Sequence, residues 1–261
     1  MRYNGLFYWG RWRNLTKERY TQIREKYCYC YALDWYKQFK DKEKEFERRL
    51  KVGNYYIMRF DGKGMTADFK VKKLAINQQY FDIMKETFYQ FVKMYPKIVF
   101  AYSFSDEVSI LFKASKDDDF SRMQKLLSLL SSQLSVCFNK VAAKCGIEKE
   151  AGWIFDARII NVTLGEAMDY FRARQAFAID KFIMQTKGEY GINFKLNKSS
   201  EVLEALSEIG IDYNNFENEK KYGLVYSFNK EIDAFEFDDN IELLKQLCFG
   251  KKKLKTSKVG G

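Results

Sequence analysis

The chain has 261 residues, of which 46% are hydrophobic and 17% aromatic, enough to bury a core in one large domain or two modest ones. The formal net charge of +10 favours contact with a polyanion such as nucleic acid, with a solvated basic surface as the alternative. Histidine is absent, which excludes a Ser-His-Asp triad, a histidine general base and any zinc site with a histidine ligand.

The cysteines and the apolar pattern indicate the compartment. Five cysteines without a CxxC pair do not match a zinc ribbon or a disulfide framework, and they favour a reducing, cytoplasmic setting. Residues 1–30 carry charges throughout, so no signal peptide is predicted. Apolar runs stay shorter than the roughly 18 residues of a membrane span, so no membrane contact is expected.

The middle of the chain predicts strands and helices in the order β-α-β-β-α-β. Strands contain β-branched and aromatic runs, whereas helices repeat apolar residues at a spacing of three and four. This order is the split βαβ arrangement of ferredoxin-like α+β domains. The predicted elements are strand 55–60, helix 77–95, strands 98–104 and 108–112, helix 121–145 and strand 157–163.

Four parts of the chain are predicted from composition and pattern. An aromatic and basic N-terminal extension either binds RNA, supports oligomerisation or packs onto the core. A core that contains the β-α-β-β-α-β elements is followed by a helical and hairpin part packed on it, and then by a basic tail. Their boundaries are 1–45, 46–165, 166–250 and 251–261, and the polar residues 214–221 are expected to form a loop.

Two aspartates follow strands that the helical crossover makes parallel. Asp61 comes after strand 55–60 and Asp106 after strand 98–104, so both carboxylates are expected at the same edge of the sheet. Close carboxylates are costly unless a cation lies between them. Nucleotidyl transfer uses two Mg²⁺ ions, one on the attacking hydroxyl and one on the triphosphate. We therefore expect a site for two Mg²⁺ ions, to which the Gly62 carbonyl can add a ligand.

Glu107 is the third catalytic candidate. It begins the strand after Asp106, so its side chain is expected to point away from that of Asp106. The sequence leaves three roles open for it: binding a second metal, orienting a water molecule, or pairing with a surface lysine.

The segment that follows the first aspartate has the composition of a phosphate-binding turn. Its glycines allow close approach of an anion, and successive N–H groups of such a turn can form an anion-binding nest. Basic side chains add positive charge nearby, although Asp-Gly is also an ordinary turn signal. The nucleotide-binding candidates are Arg59, Asp61, Gly62, Lys63, Gly64, Met65, Thr66, Ser105 and Asp106.

Five ordered motifs carry a resemblance to a known family. They are RFDGKGMT (59–66), AYSFSDEVSILF (101–112), FN (138–139), GWIFDARIINVTLGEAMDYFRARQ (152–175) and IGIDYNN (209–215). Over roughly residues 40–230 the chain resembles the tRNA-His guanylyltransferase superfamily, and in particular the guanylyltransferase-like proteins of bacteria and archaea that act as 3′-to-5′ polymerases in tRNA 5′-end repair.

The resemblance implies a polymerase palm that adds nucleotides to the 5′ end of an RNA in the 3′-to-5′ direction. It implies Mg²⁺ at Asp61, the Gly62 carbonyl and Asp106, and triphosphate contacts at 61–66 and at Ser105 and Asp106. The implied partners are GTP, with ATP as a second candidate, a tRNA or tRNA-like 5′ end, and further copies of the chain in a tetramer.

Basic and polar side chains outside the site are candidates for RNA contact. By analogy with the family, Ile179 stands where some members have an anticodon-reading histidine, which argues against tRNA-His specificity. The basic pair before Gly223 is shifted relative to the family pattern. The candidates are Arg158, Arg174, Gln175, Lys220 and Lys221.

Two other functions are compatible with the same residues. A palm-type nucleotidyltransferase could use a small acceptor and make a nucleotide second messenger. A catalytically silent nucleotide or RNA sensor could keep the fold alone, although binding needs fewer carboxylates than the two aspartates provide.

Overall fold

The structure is a computed structural model of the chain, which divides into two compact units, 1–48 and 49–261. In the first unit, residues 39–43 are helical. The expectations for the aromatic-basic extension, for Thr66 and for the basic tail fall outside the described residues. The structure describes residues 39–43, 47–65, 68, 78–116, 121–192 and 198–250.

The second unit is built on one antiparallel sheet with helices. The predicted β-α-β-β-α-β order is confirmed, and three more helices, a 3₁₀ turn and a hairpin follow the third helix. The elements are β1 (Tyr55–Gly62), α1 (Gln78–Lys93), β2 (Ile98–Phe104), β3 (Glu107–Lys113), α2 (Met123–Lys144), β4 (Phe155–Val162), α3 (Leu164–Glu189), α4 (Ser199–Glu208), a 3₁₀ turn (Tyr213–Asn215), α5 (Asn218–Tyr222), β5 (Leu224–Ser227), β6 (Lys230–Ile232) and α6 (Ile241–Phe249).

The sheet has the strand order β4-β1-β3-β2-β5-β6. β3 pairs antiparallel with both β1 and β2, so β1 and β2 run parallel with β3 between them. Their C-terminal ends therefore lie at the same edge, as the crossover argument predicts. The hairpin β5–β6 extends the sheet beyond β2, which makes the part after residue 165 contribute strands to the same sheet.

One face of the sheet is covered by α1 and α2. Alternate residues of β1, such as Met58 and Phe60, are fully buried in this layer. They pack against apolar side chains that recur at helical spacing in both helices. The helical members of this core include Ile83, Phe88, Phe91, Val92, Leu126, Leu130, Leu134, Phe138 and Val141.

The other face of the sheet packs against α3 and α6. Ile57 of β1 and Phe100 of β2 are buried there with Phe171 of α3 and Leu244 of α6. A capping box fixes the start of α3: the Thr163 side chain accepts from the Glu166 N–H, and Glu166 accepts from the Thr163 N–H. Because of alternation along β1, Arg59 and Asp61 lie on this same face.

The structure corrects the prediction for one polar segment. The segment 214–221, expected to be a loop, contains the end of the 3₁₀ turn and most of α5.

Within the described part of the chain, α2 alone is long and apolar enough to cross a membrane. Its Leu126, Leu130 and Leu134 are buried in the core, a packing that is consistent with a soluble protein.

Candidate active site

The end of β1 provides the first carboxylate of the site. Asp61 and Gly62 are the last two residues of the strand, which extends two residues beyond the predicted end at residue 60. In register, Asp61 lies opposite Glu107 of β3 on one side and Asp156 of β4 on the other. Three acidic residues therefore form a row across the sheet at this edge.

The β2–β3 turn brings the second carboxylate to the first. The Gly62 N–H donates a hydrogen bond of 3.0 Å to the Asp106 carbonyl oxygen, which ties the turn to the end of β1. A Cβ added at Gly62 would lie 3.1 Å from the Asp106 Cβ and 2.4 Å from the Met65 sulfur. Ser105 adopts the left-handed region with φ +55°, a conformation that reverses the chain tightly at this point. The close approach requires glycine, and it places Asp106 beside Asp61 as predicted.

The two aspartates interact electrostatically. Burial raises the pKa of Asp61, and the negative charge of Asp106 raises it further, while Arg59 acts in the opposite direction. Asp106 itself is 7% exposed. The Asp106 carboxylate thus disfavours the charged form of Asp61 until a cation neutralises the pair.

The residues at this edge fit a hard divalent cation. Within the ranges that the structure describes, no three His, Cys, Asp or Glu side chains are grouped to hold a metal ion. An ion here would take one oxygen each from Asp61 and Asp106 and complete its shell with water, phosphate or backbone oxygens. Mg²⁺ has this preference for few protein carboxylates and several other oxygens.

Glu107 is engaged by two arginines. Arg174 of α3 donates a hydrogen bond to Glu107 Oε2, and the Arg59 guanidinium lies 3.7 Å from the same oxygen. Burial raises the pKa of Glu107, and Arg174 and then Arg59 counteract that rise. The structure thus pairs Glu107 with two arginines of the cleft and not with the surface lysine that the sequence left open; the catalytic role stays a prediction.

A cleft of about 320 Å³ opens between the sheet and α3 at this point. Tyr102 lines it, and the buried hydroxyl of this tyrosine has no hydrogen-bond partner among the residues described. The cleft combines acidic groups that can hold a metal with basic groups that can hold phosphate. Its lining is Arg59, Asp61, Tyr102, Phe104, Asp106, Glu107, Arg174, Phe177, Ala178 and Lys181.

Lys181 belongs to this cleft, although no motif of the sequence marks it as a site residue. Its Nζ lies 3.3 Å from Ser105 Oγ and 3.8 Å from Asp106 Oδ1. A signal was available, because Lys181 follows Arg174 by two helical turns and so lies on the same face of α3. Phe177, also missed, lies between them with its ring 5.3 Å from the Arg174 guanidinium.

The predicted phosphate nest is only partly available. The N–H groups of Gly62 and Lys63 donate to the carbonyl oxygens of Asp106 and Ile154, so neither can bind an anion in this arrangement. Gly64 has φ +70°, the turn conformation for which glycine was expected. Met65 is fully buried, and Lys63 is exposed. The triphosphate contact predicted for this segment therefore depends on Gly64 onwards and on the Lys63 side chain.

Two of the residues predicted to contact RNA are buried. Gln175 is 2% exposed, and its amide donates to the carbonyl oxygens of Tyr222 and Phe235 and accepts from the Phe237 N–H. Lys221 is 3% exposed and donates to the Asn214 carbonyl oxygen. Direct RNA contact would require an exposure that both positions lack, so the structure gives both residues a role in packing.

The other RNA-contact candidates reach the surface in different places. Arg158 is exposed on β4, in register with Arg59 of β1. Lys220 pairs with Glu217 at 3.1 Å and lies over the Phe81 ring. Arg174 is inside the cleft, as described above. RNA contact at these three positions stays a prediction.

A second cavity, of about 140 Å³, adjoins the cleft. The two share Phe104, and Ser105 of this cavity precedes Asp106 of the cleft, so a ligand in the cleft lies next to this space. The lining is mainly aromatic and apolar, with polar groups at Gln185, Glu189, Glu219 and Lys220. Its apolar lining includes Tyr80, Phe81, Met84, Phe182, Phe216 and Leu224.

Three solved structures share this fold. A bacterial tRNA(His) guanylyltransferase-like protein in complex with ATP aligns with a TM-score of 0.70 and 20% identity, covering 82% of this chain and 99% of that one. The GTP complex of a bacterial protein of that description gives 0.66 and 20%, covering 83% and 99%. The tRNA(His) guanylyltransferase of Saccharomyces cerevisiae gives 0.62 and 24%, covering 76% and 97%.

The sequence itself matches one family. The sequence model of the tRNAHis guanylyltransferase family matches residues 36–163, which include β1 to β4 and both aspartates. No curated protein matches the chain significantly. The chain thus matches the model of this family over residues 36–163, just under half of its length, and has the fold of the solved tRNA(His) guanylyltransferases.

Proposed function

We propose that the protein is a Mg²⁺-dependent nucleotidyltransferase that adds nucleotides to the 5′ end of an RNA in the 3′-to-5′ direction. The observation that carries the proposal is the pairing of Asp61 and Asp106, joined through the 3.0 Å bond from the Gly62 N–H to the Asp106 carbonyl oxygen. This pair lies in a cleft that also contains Arg59, Arg174 and Lys181.

The chemistry divides between the metal and the side chains. Mg²⁺, when bound by Asp61 and Asp106, supplies positive charge to the triphosphate and lowers the pKa of the attacking hydroxyl. Arg59 and Arg174, held in place by Glu107, supply donors for phosphate oxygens. The cleft orients the two reactants, so positioning and charge neutralisation account for most of the expected rate enhancement.

The proposed substrates follow from charge and from the relatives. Because two solved relatives hold ATP and GTP, we propose GTP, with ATP as a second nucleotide, for this chain. The net charge of +10 supports an RNA acceptor, for which a tRNA or tRNA-like 5′ end is proposed. A cytoplasmic location, a second Mg²⁺ ion and a tetrameric assembly belong to the same proposal.

The test is incorporation of a labelled nucleotide at an RNA 5′ end. Purified protein is incubated with labelled GTP or ATP and a tRNA transcript that lacks its first nucleotide and carries a 5′-triphosphate. The same RNA with a 5′-hydroxyl serves as the negative control, because it has no phosphate to be attacked. We expect a product one or more nucleotides longer that requires Mg²⁺.

The matched variants separate catalysis from folding. Asp61→Asn and Asp106→Asn should each lower the rate by at least about 100-fold, as for loss of one transition-state charge contact. Asp82→Asn, at an exposed position of α1 whose carboxylate binds Gln78, should leave the rate unchanged.

Other outcomes point to the alternatives. A soluble oligonucleotide formed from nucleoside triphosphates without RNA would replace the RNA acceptor by a small one. Nucleotide binding by folded protein without turnover on any of these RNAs would contradict the proposal and favour a sensor.

A further inference from the structure

Lys181 lies where it competes with a metal for Asp106. Its ammonium group is 3.8 Å from Asp106 Oδ1 and 3.3 Å from Ser105 Oγ, both in the β2–β3 turn. It comes from α3, on the opposite wall of the cleft from β1. In the metal-free protein Lys181 therefore supplies positive charge to the carboxylate that a metal ion would use.

A divalent cation on Asp106 changes the position that Lys181 prefers. Two cations on one carboxylate repel each other, and in a partly buried cleft that repulsion is only weakly screened. The Asp106 side chain is 10% exposed and that of Lys181 30%. Lysine has a flexible four-carbon stem, so its ammonium group can leave Asp106 without movement of α3.

The other acids of the cleft do not offer the displaced ammonium a better place. Glu107 is already bound by Arg174 and Arg59. Asp61 is the other carboxylate of the metal site. Ser105 Oγ stays within reach but is neutral. The anion that enters this cleft together with a metal is the triphosphate of the nucleotide.

We propose that Lys181 is an exchangeable counter-ion: it pairs with Asp106 in the metal-free protein and with the triphosphate in the loaded protein. This inference rests on the proposed function, because it needs a metal and a nucleotide in the cleft. The exchange couples the two ligands. Metal alone binds weakly because it must displace Lys181, whereas metal and nucleotide together provide a new partner for it.

The test measures each ligand separately in Lys181→Met, which keeps the length of the side chain and removes its charge. Mn²⁺ binding without nucleotide, followed by electron paramagnetic resonance, should become about 5-fold tighter or more because the competing cation is gone. GTP binding with saturating Mg²⁺, followed by calorimetry, should become at least about 10-fold weaker because a charge-assisted contact is lost. The opposite directions of the two changes identify the exchange.

Two further variants serve as controls. Lys93→Met removes a surface lysine that pairs with Glu231 at 2.6 Å, and it should change neither affinity. Lys181→Arg keeps the charge and should keep Mn²⁺ binding weak while restoring most of the GTP affinity. Thermal unfolding of each variant verifies that the fold is intact.

The outcomes distinguish this inference from the proposed function. Weakening of both ligands in Lys181→Met would mean that Lys181 only supports the structure, and unchanged affinities would mean that it contacts neither ligand; both results overturn the inference. Tighter Mn²⁺ binding with unchanged GTP binding also overturns the exchange, because it would show that Lys181 does not contact the triphosphate. If the unaltered protein binds neither Mn²⁺ nor GTP, the proposed function itself fails.

Discussion

At the scale of single residues, the carboxyl group of Asp61 is held in unfavourable surroundings. Burial and the charge of Asp106 both raise its pKa, and the opposing effect of Arg59 does not cancel them. The folded protein therefore holds the Asp61 proton more tightly than the unfolded chain does, whose pKa is near 3.8. Ionised Asp61 thus destabilises the metal-free fold, and a bound cation should reverse this effect.

Asp61→Asn should stabilise the metal-free protein. The variant removes a charge that is costly above the ordinary pKa, so its gain in melting temperature should be clear at pH 7. The gain should shrink as the pH falls through the raised pKa of folded Asp61, and it should vanish well below 3.8, where Asp61 is neutral in both the folded and the unfolded state. Thermal unfolding in a chelator at both ends of this range measures it.

The control for this prediction is the exposed Asp82→Asn. It should not produce the same pH-dependent gain. Added Mg²⁺ should stabilise the unaltered protein more than Asp61→Asn. If Asp61→Asn melts below the unaltered protein at pH 7 in the chelator, the account of Asp61 is contradicted.

At the scale of elements, the site depends on how the β2–β3 turn meets the end of β1. The contact is close: the Gly62 N–H bonds the Asp106 carbonyl oxygen, and space for a Cβ is lacking. The opposite wall is α3, which carries Arg174 and Lys181 towards the cleft. Small displacements of either element should therefore affect chemistry more than folding.

Gly62→Ala tests the contact between the turn and β1. Its Cβ would lie 2.4 Å from the Met65 sulfur, which belongs to a flexible side chain, and 3.1 Å from the Asp106 Cβ. We expect a loss of stability of about 1–3 kcal/mol from overpacking and a fall in rate of about 100-fold as Asp106 moves. Chemical unfolding and the 5′-addition assay measure the two effects.

Gly165→Ala is the matched control. Gly165 lies in the first turn of α3 with no atom within 4 Å of an added Cβ. Its replacement should leave the rate unchanged and raise stability by up to about 1 kcal/mol, since alanine favours helix. Equal rates in the two variants would contradict the role given to Gly62.

Gln175 joins α3 to the segments on either side of the β5–β6 hairpin. Its side chain bonds backbone groups of Tyr222, Phe235 and Phe237. Gln175→Ala leaves these three groups without their partner, so the free energy of unfolding should fall by about 3 kcal/mol or more. Urea unfolding measures the loss.

The exposed Gln90 of α1 provides the comparison for this result. Gln90→Ala removes a bond to Glu86 at the surface and should cost less than about 0.5 kcal/mol. A similar small effect at Gln175, together with weaker RNA binding, would restore the RNA contact predicted from the sequence.

At the scale of the whole molecule, the two faces of the sheet in residues 49–261 have different roles. α1 and α2 bury one face with large apolar side chains, and the other face is shared by α3, α6 and the cleft. The row of Asp156, Asp61 and Glu107 lies at the edge of the sheet where the cleft opens. The fold thus stabilises the strands from one side and presents their charged ends on the other.

The sequence predicts the strands and the aspartate pair because both depend on local patterns. Apolar periodicity defines β1 to β4, and right-handed crossover places the ends of β1 and β2 together. The roles of Gln175 and Lys181 depend instead on which side of α3 faces the sheet. That choice is decided by distant segments, since Gln175 bonds the chain near residues 222 and 235 and Lys181 reaches Ser105.

The most direct test of the central claim is the position of a metal ion. Crystals of the protein soaked with Mn²⁺ and GTP are measured by anomalous diffraction, which locates manganese without reference to the protein atoms. The account predicts an anomalous peak about 2 Å from a carboxylate oxygen of both Asp61 and Asp106. A well-occupied manganese ion bound by neither aspartate, with GTP present in the cleft, would contradict it.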